Sequence, residues 1–248
     1  KLIETYRKYY HPSNSYIYLY GDINIDETLN ILDSKYLNSF SRKEINSAIN
    51  LQPPMAKSVE ATYEYFIDDD VATETSGYIS WSCVLEENVD AEISKAFEMI
   101  GSLLFDEGSS FRNALSDKGF KDISYSLDVQ RQPIFTILCE NNNVDRGNEF
   151  AETIETELKK IVQNGFDKEK ISSMFHSYEV KPYQETLGGS GFSARGVLYS
   201  RKVLTTWLYD SDPFASLDYS IDINILNKEL SGNYLEELVR KYMIDSVQ

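Results

Sequence analysis

Strand-like runs concentrate in the first 140 residues of this chain, and helix-like stretches in the last hundred. "SYIYLYG", "VEATYEYFID", "TSGYISWSCVL", "DISYSLDVQ" and "PIFTILCEN" are short and rich in β-branched and aromatic residues, the composition of strands. Apolar residues spaced by three and four predict helices in "LIETYRKYY", in "DETLNILDSKYL" with Asp26 as its cap, and in "DAEISKAFEMIGSLLF". "SSFRNALSDKGF" adds a shorter helix, and "VDRGNEFAETIETELKKIVQNG" a longer one, closed by Gly119 and Gly165 respectively. Asp167 caps "DKEKISSMFHSYEV", "VLYSRKVLTTWLYDSDPF" runs to Asp212-Pro213, and the last 28 residues hold two more helical stretches. This distribution predicts an α+β fold: a largely antiparallel sheet with helices on one face and a helical C-terminal part. No stretch has linker composition, so residues 1–248 read as one domain, strand-rich over 1–140 and helical over 141–248.

The first helical pattern breaks at His11-Pro12, because a residue before proline is pushed out of the helical region. The chain begins at Lys1, inside that pattern and without an initiator Met. Such a start is expected of one module of a larger protein.

The formal net charge is −16. Nucleic acid and anionic membranes are therefore not expected partners, since both need a basic face. An acidic surface suits cationic peptides, or serves only solubility. No apolar run approaches the ~18 residues of a membrane span. Cys83 and Cys139 sit in apolar strand-like runs and are expected as buried free thiols.

Local motifs do not build a catalytic centre. "HSYEV", residues 176–180, resembles the inverted zinc motif H-x-x-E-H, but Val180 stands where the second histidine is needed. His11 reads as a junction residue bonded to nearby backbone. "GGSGFSARG" lacks the G-K-[ST] ending of a phosphate loop and reads as a connection between helices, with Arg195 and Arg201 available to a carboxylate. Two histidines leave few bases for a nucleophilic triad. Tyr16, Tyr18 and Tyr20 are expected to pack on a helical layer rather than form a binding stripe.

Taken in order, four landmarks resemble one family. "YRKYYHPSNSYIYLYGDINIDETLNIL" resembles the start of the second module of pitrilysin/insulinase-type (M16 family) zinc metallopeptidases. "LLFDEGSSFRNALSDKGF" and "VQNGFDKEKISSMFHSYE" resemble its next two landmarks. "GVLYSRKVLTTWLYDSDPFASLDY" is similar to the presequence-protease branch, with its W-x-Y-x-x-D-P-F segment. The resemblance covers nearly the whole chain. It implies the second of four related modules, stopping before a last strand. It also implies zinc held by a module that precedes this one, none bound by this segment, and therefore a segment inactive alone.

The resemblance further implies a chamber closed around a peptide by two halves, so that the expected partners are the other modules of the same chain and a peptide substrate. In the insulinase branch the peptide N-terminus adds to a strand edge near the landmark matched here by Leu104, Phe105, Asp106, Glu107 and Gly108. Main-chain pairing suits peptides of varied sequence, and Asp106 or Glu107 would meet the ammonium. The alternative for these residues is a helix end packed in the core. For the whole, the alternative is a segment of an inactive scaffold or peptide-binding subunit of the same family. A bacterial cytoplasm is the expected location, with an organelle as the alternative.

Overall fold

A computed structural model describes residues 1–55, 57–66, 76–186 and 195–245. Among the described residues the sheet has three antiparallel strands, β1 (Gly77–Val84), β2 (Ile123–Asp128) and β3 (Ile134–Asn142), in the order β1-β3-β2. Alternation divides the sheet into two faces. On the inner face the register aligns three rows: Ile79–Cys139–Ile123, Trp81–Ile137–Tyr125 and Cys83–Phe135–Leu127. On the outer face the rows are Ser80–Leu138–Ser124, Ser82–Thr136–Ser126 and Val84–Ile134–Asp128. Ser82 and Thr136 hydrogen-bond there at 2.9 Å.

Helix α3 (Glu92–Phe105) lies against the inner face, burying Ile93, Ala96, Phe97, Ile100 and Leu104 at the spacing of a single helical face. Phe97 meets Phe135 edge-on at 5.6 Å and Tyr242 at 5.8 Å. Full burial of side chains of this size contributes about 1.5–3 kcal/mol each. Next come α4 (Ser110–Asp117) and α5 (Gly147–Asn164). Gly119 and Gly165, at φ 82° and 83°, take the left-handed backbone that ends these helices. α6 (Lys168–Thr186) runs through Pro182, and Asp167 accepts from the Glu169 N–H at its start. α7 (Arg195–Trp207), α8 (Tyr219–Ser231) and α9 (Tyr234–Val239, continued by a π turn over Arg240–Ile244) complete the helical part.

Both cysteines are buried and free. They share the inner face but stand two rows apart, about 13 Å at ~3.3 Å per residue, beyond the ~7 Å Cα separation a disulfide tolerates.

Several local expectations are corrected. Residues 15–20 and 59–66 belong to no strand. Instead α1 (Leu2–Tyr9) and α2 (Ile25–Lys35) flank an extended 15–20 segment that lies against α7. Tyr16 meets Trp207 at 4.7 Å and Tyr20 meets Tyr199 at 5.6 Å, so these tyrosines pack on a helix. Strand propensity reports a fit to a pleated, half-buried surface, and aromatic packing on a helix meets the same need. The cap of α2 is Asn24, which accepts from Glu27 N–H, and Asp26 lies within the first turn. α7 stops at Trp207, short of Asp212-Pro213, where Asp210 turns the chain at φ 62°. "GGSGFSARG" lies outside the described residues except for Arg195 and Gly196.

Candidate functional site

The end of α3 builds the turn that the sequence singled out. Leu104 is fully buried and Phe105 half-buried, while Asp106, Glu107 and Gly108 are exposed. Gly108 reverses the chain at φ 81°. Ser109, itself buried, fixes both sides of the turn: its hydroxyl donates to Leu104 O at 2.7 Å and caps α4 at the Arg112 N–H. Arg112 Nη1 donates to Phe105 O at 3.4 Å. Leu104 and Phe105 thus pack toward the core, while Asp106, Glu107 and Gly108 face solvent.

Two contacts place this turn in the fold. The Phe105 ring stands 5.2 Å from Tyr125 of β2 and 5.8 Å from Phe111 of α4. Lys170, in the first turn of α6, forms an ion pair with Asp106 and reaches Glu107 O at 3.5 Å. The Lys170 ammonium holds the Asp106 carboxyl below the usual carboxylate range. Asp106 is therefore already engaged. The Glu107 carboxylate has no hydrogen-bond or ion-pair partner among the described residues. β2 is paired only with β3, so its other edge is open among the described residues. The geometry offers main-chain donors and acceptors along a strand edge, with an unpaired carboxylate on the neighbouring turn.

Sequence reasoning found the turn and missed the clamp. Lys170 lies 64 residues from Asp106, and no local signal connects them. Ser109 was readable, as a small polar residue just before a helical pattern.

The remaining candidates stay apart. His176 is exposed on α6, with Nδ1 at 3.3 Å from Glu179 Oε2, and Val180 is exposed beside it. Among the described residues no group of three or more His, Cys, Asp or Glu is arranged to hold a metal. The residues around His176 therefore do not fit a zinc centre, which needs at least three protein ligands. His11 Nδ1 accepts from Ser13 N–H at 3.1 Å, and its ring meets Phe40 edge-on. Among the described residues no helix is long and apolar enough to cross a membrane.

Residues 1–176 match the Peptidase M16 inactive domain. Protein HypA of Clostridium perfringens is 33% identical over 99% of this chain and 25% of its own length. A mitochondrial presequence protease of Emericella nidulans is 28% identical over 99% of this chain and 23% of its own length. The chain thus spans about a quarter of the length of the curated relatives it matches. Among solved structures, the periplasmic protease PqqL from Escherichia coli superposes with a TM-score of 0.58 over 99% of this chain and 27% of that one. At 14% identity that likeness speaks for the fold alone.

Proposed function

Because the chain belongs to the M16 peptidase family, through the module described as that family's inactive domain, we propose that it is a non-catalytic, chamber-forming segment of a larger zinc-dependent peptidase that hydrolyses oligopeptides. The observation that carries this reading is the match to the inactive domain in a chain spanning about a quarter of its relatives. In this reading residues 1–248 act as one module, the other modules of the parent are its partners, and zinc is held elsewhere in the parent. Relatives named as presequence proteases support a peptide substrate.

Residues 104–108 form the peptide-anchoring turn. Leu104 and Phe105 root it in the core, Gly108 supplies the reversal, and Lys170 fixes it through Asp106. Glu107 is left to meet the ammonium of a peptide N-terminus, while the open edge of β2 pairs with the peptide main chain.

The test compares zinc content and peptidase activity in the full-length parent and in this segment. Zinc and activity in the parent alone are expected. Stoichiometric zinc in the segment would overturn the reading, and their absence from both would favour the inactive scaffold. Glu107→Gln in the full-length parent should narrow the affinity difference between peptides with free and acetylated N-termini. An unchanged difference would remove Glu107 from the site.

A further inference from the structure

The tip of the β2–β3 hairpin, residues 129–133, grips a distant stretch of chain through that stretch's main-chain atoms. Gln52 N–H donates to Gln132 Oε1 at 2.5 Å, and Gln132 Nε2 donates back to Gln52 O at 3.3 Å. Arg131 Nη1 donates to Ile49 O. A side-chain amide carries the same kinds of donor and acceptor as the main chain, so Gln132 stands in for a residue of a neighbouring strand.

The gripping side is held from behind. Arg131 Nε donates to Glu87 Oε1 at 2.7 Å, and Gln132 Nε2 also reaches Leu85 O at 3.4 Å. Main-chain bonds from Leu85 N–H to Pro133 O at 2.8 Å and from Asn88 N–H to Arg131 O at 2.9 Å fix the tip on the end of β1. The gripped side is not built into the core: residues 41–55 form no helix or strand, and none of them is buried. Pro53 and Pro54 follow Gln52 directly. A residue before proline is pushed to extended backbone, which this pairing needs. Upstream, the stretch is tied to the N-terminal part: Lys43 N–H donates to Ser13 Oγ at 3.0 Å and Ser47 Oγ to Asn14 Oδ1 at 2.5 Å. Residues 43–52 are therefore a strap from the N-terminal part to the core. That part also rests on α7 through the rings of Tyr16 and Tyr20.

We infer that Arg131 and Gln132 form a binding site for an extended main chain, that residues 49–52 are its occupant, and that this clasp is where the N-terminal part is released from the core. The site reads no side chain of its occupant, so the hold depends on an extended backbone and not on the identity of residues 49–52. Its bonds lie exposed to water, where each contributes little alone. Opening the clasp leaves the sheet and its helices intact and lets residues 1–52 swing on the α7 contact.

Two readouts on the intact protein test this: amide exchange at Gln52, and the distance between spin labels at Asn30→Cys on α2 and Thr156→Cys on α5. Gln132→Met should speed exchange at Gln52 by about two- to tenfold for each bond lost, and should broaden the label distance. Gln52→Pro, which deletes the N–H and keeps the backbone extended, should broaden the distance in the same way. Ile49→Ala and Gln52→Ala keep the main-chain partners and should change neither readout. Unchanged exchange and distance in Gln132→Met would overturn the inference. So would strap side-chain variants that broaden the distance as much as Gln132→Met does. Exchange within β3 should stay as in the wild type, and its loss in Gln132→Met would replace local release by global unfolding and overturn the inference as well.

Discussion

Gly101 shows how a missing side chain can position a site four residues away. A Cβ there would overlap the Tyr125 ring, which lies across α3, touches Phe105 and hydrogen-bonds Ser102 at 3.2 Å. Helix propensity alone favours alanine over glycine by about 1 kcal/mol, so this glycine stands against local preference. Gly101→Ala should nevertheless lower stability by about 1–3 kcal/mol through overpacking. Chemical denaturation should show most of that loss relieved in the Tyr125→Ser background. Cys83, with its thiol pushed up to about 12 by burial, and Cys139, also raised by burial, should resist thiol reagents in the native protein at neutral pH. Both should be modified promptly once it unfolds, as mass spectrometry would record. The Asp106 carboxyl is depressed by Lys170, so the tie holds above the ordinary aspartate range and is lost only as pH falls through the lowered value. The carboxyl carbon shift of Asp106 should therefore titrate in stronger acid in the wild type than in a Lys170→Met variant.

Between elements, the joint of α3 and α8 rests on a buried ion pair. Lys95 Nζ lies 2.8 Å from Asp222 Oδ2 and 2.6 Å from Asp218 O, and both charged side chains are nearly buried. Removing one partner strands the other, so Asp222→Ala should lower stability by about 3–5 kcal/mol. The joint change Lys95→Met with Asp222→Leu should cost much less, which equilibrium unfolding would resolve. Elements whose pattern agreed with their surroundings were legible in the sequence: α3, α5, and the β2–β3 hairpin. Residues 15–20 carry as good a strand signal, yet they pack on helix α7 and pair with no strand among the described residues. Of the candidate site, Leu104 to Gly108 were singled out through a family resemblance, while the helix end and the glycine turn that shape them are local features. Lys170 was not legible, because its pairing with Asp106 exists only once α3 and α6, 64 residues apart along the chain, meet.

Across the whole molecule, burial divides the chain. Among the described residues none before Gly77 is buried, and Leu2, Ile3, Tyr6 and Tyr10 of the α1 region are exposed apolar side chains. The interior is built from β1 onward, through Met243 of the final turn. Limited proteolysis should therefore cut within residues 1–66 first and leave a resistant fragment that begins near β1. Early cuts within α3 or α5 would contradict this division. The exposed apolar side chains of α1 suit a surface covered by other modules of the parent, in line with the proposed assembly.

The strand order β1-β3-β2 also governs timing. The central strand is the last of the three to be synthesised, and β1 and β2 have no bonds to each other. A ribosome therefore releases β1, α3 and α4 before the strand that β1 pairs with in this sheet is made. When β3 emerges it closes the short hairpin with β2, then captures β1 from across two helices. A pause in translation before β3 would leave β1 without its partner, whereas a pause after it would find all three described strands able to pair.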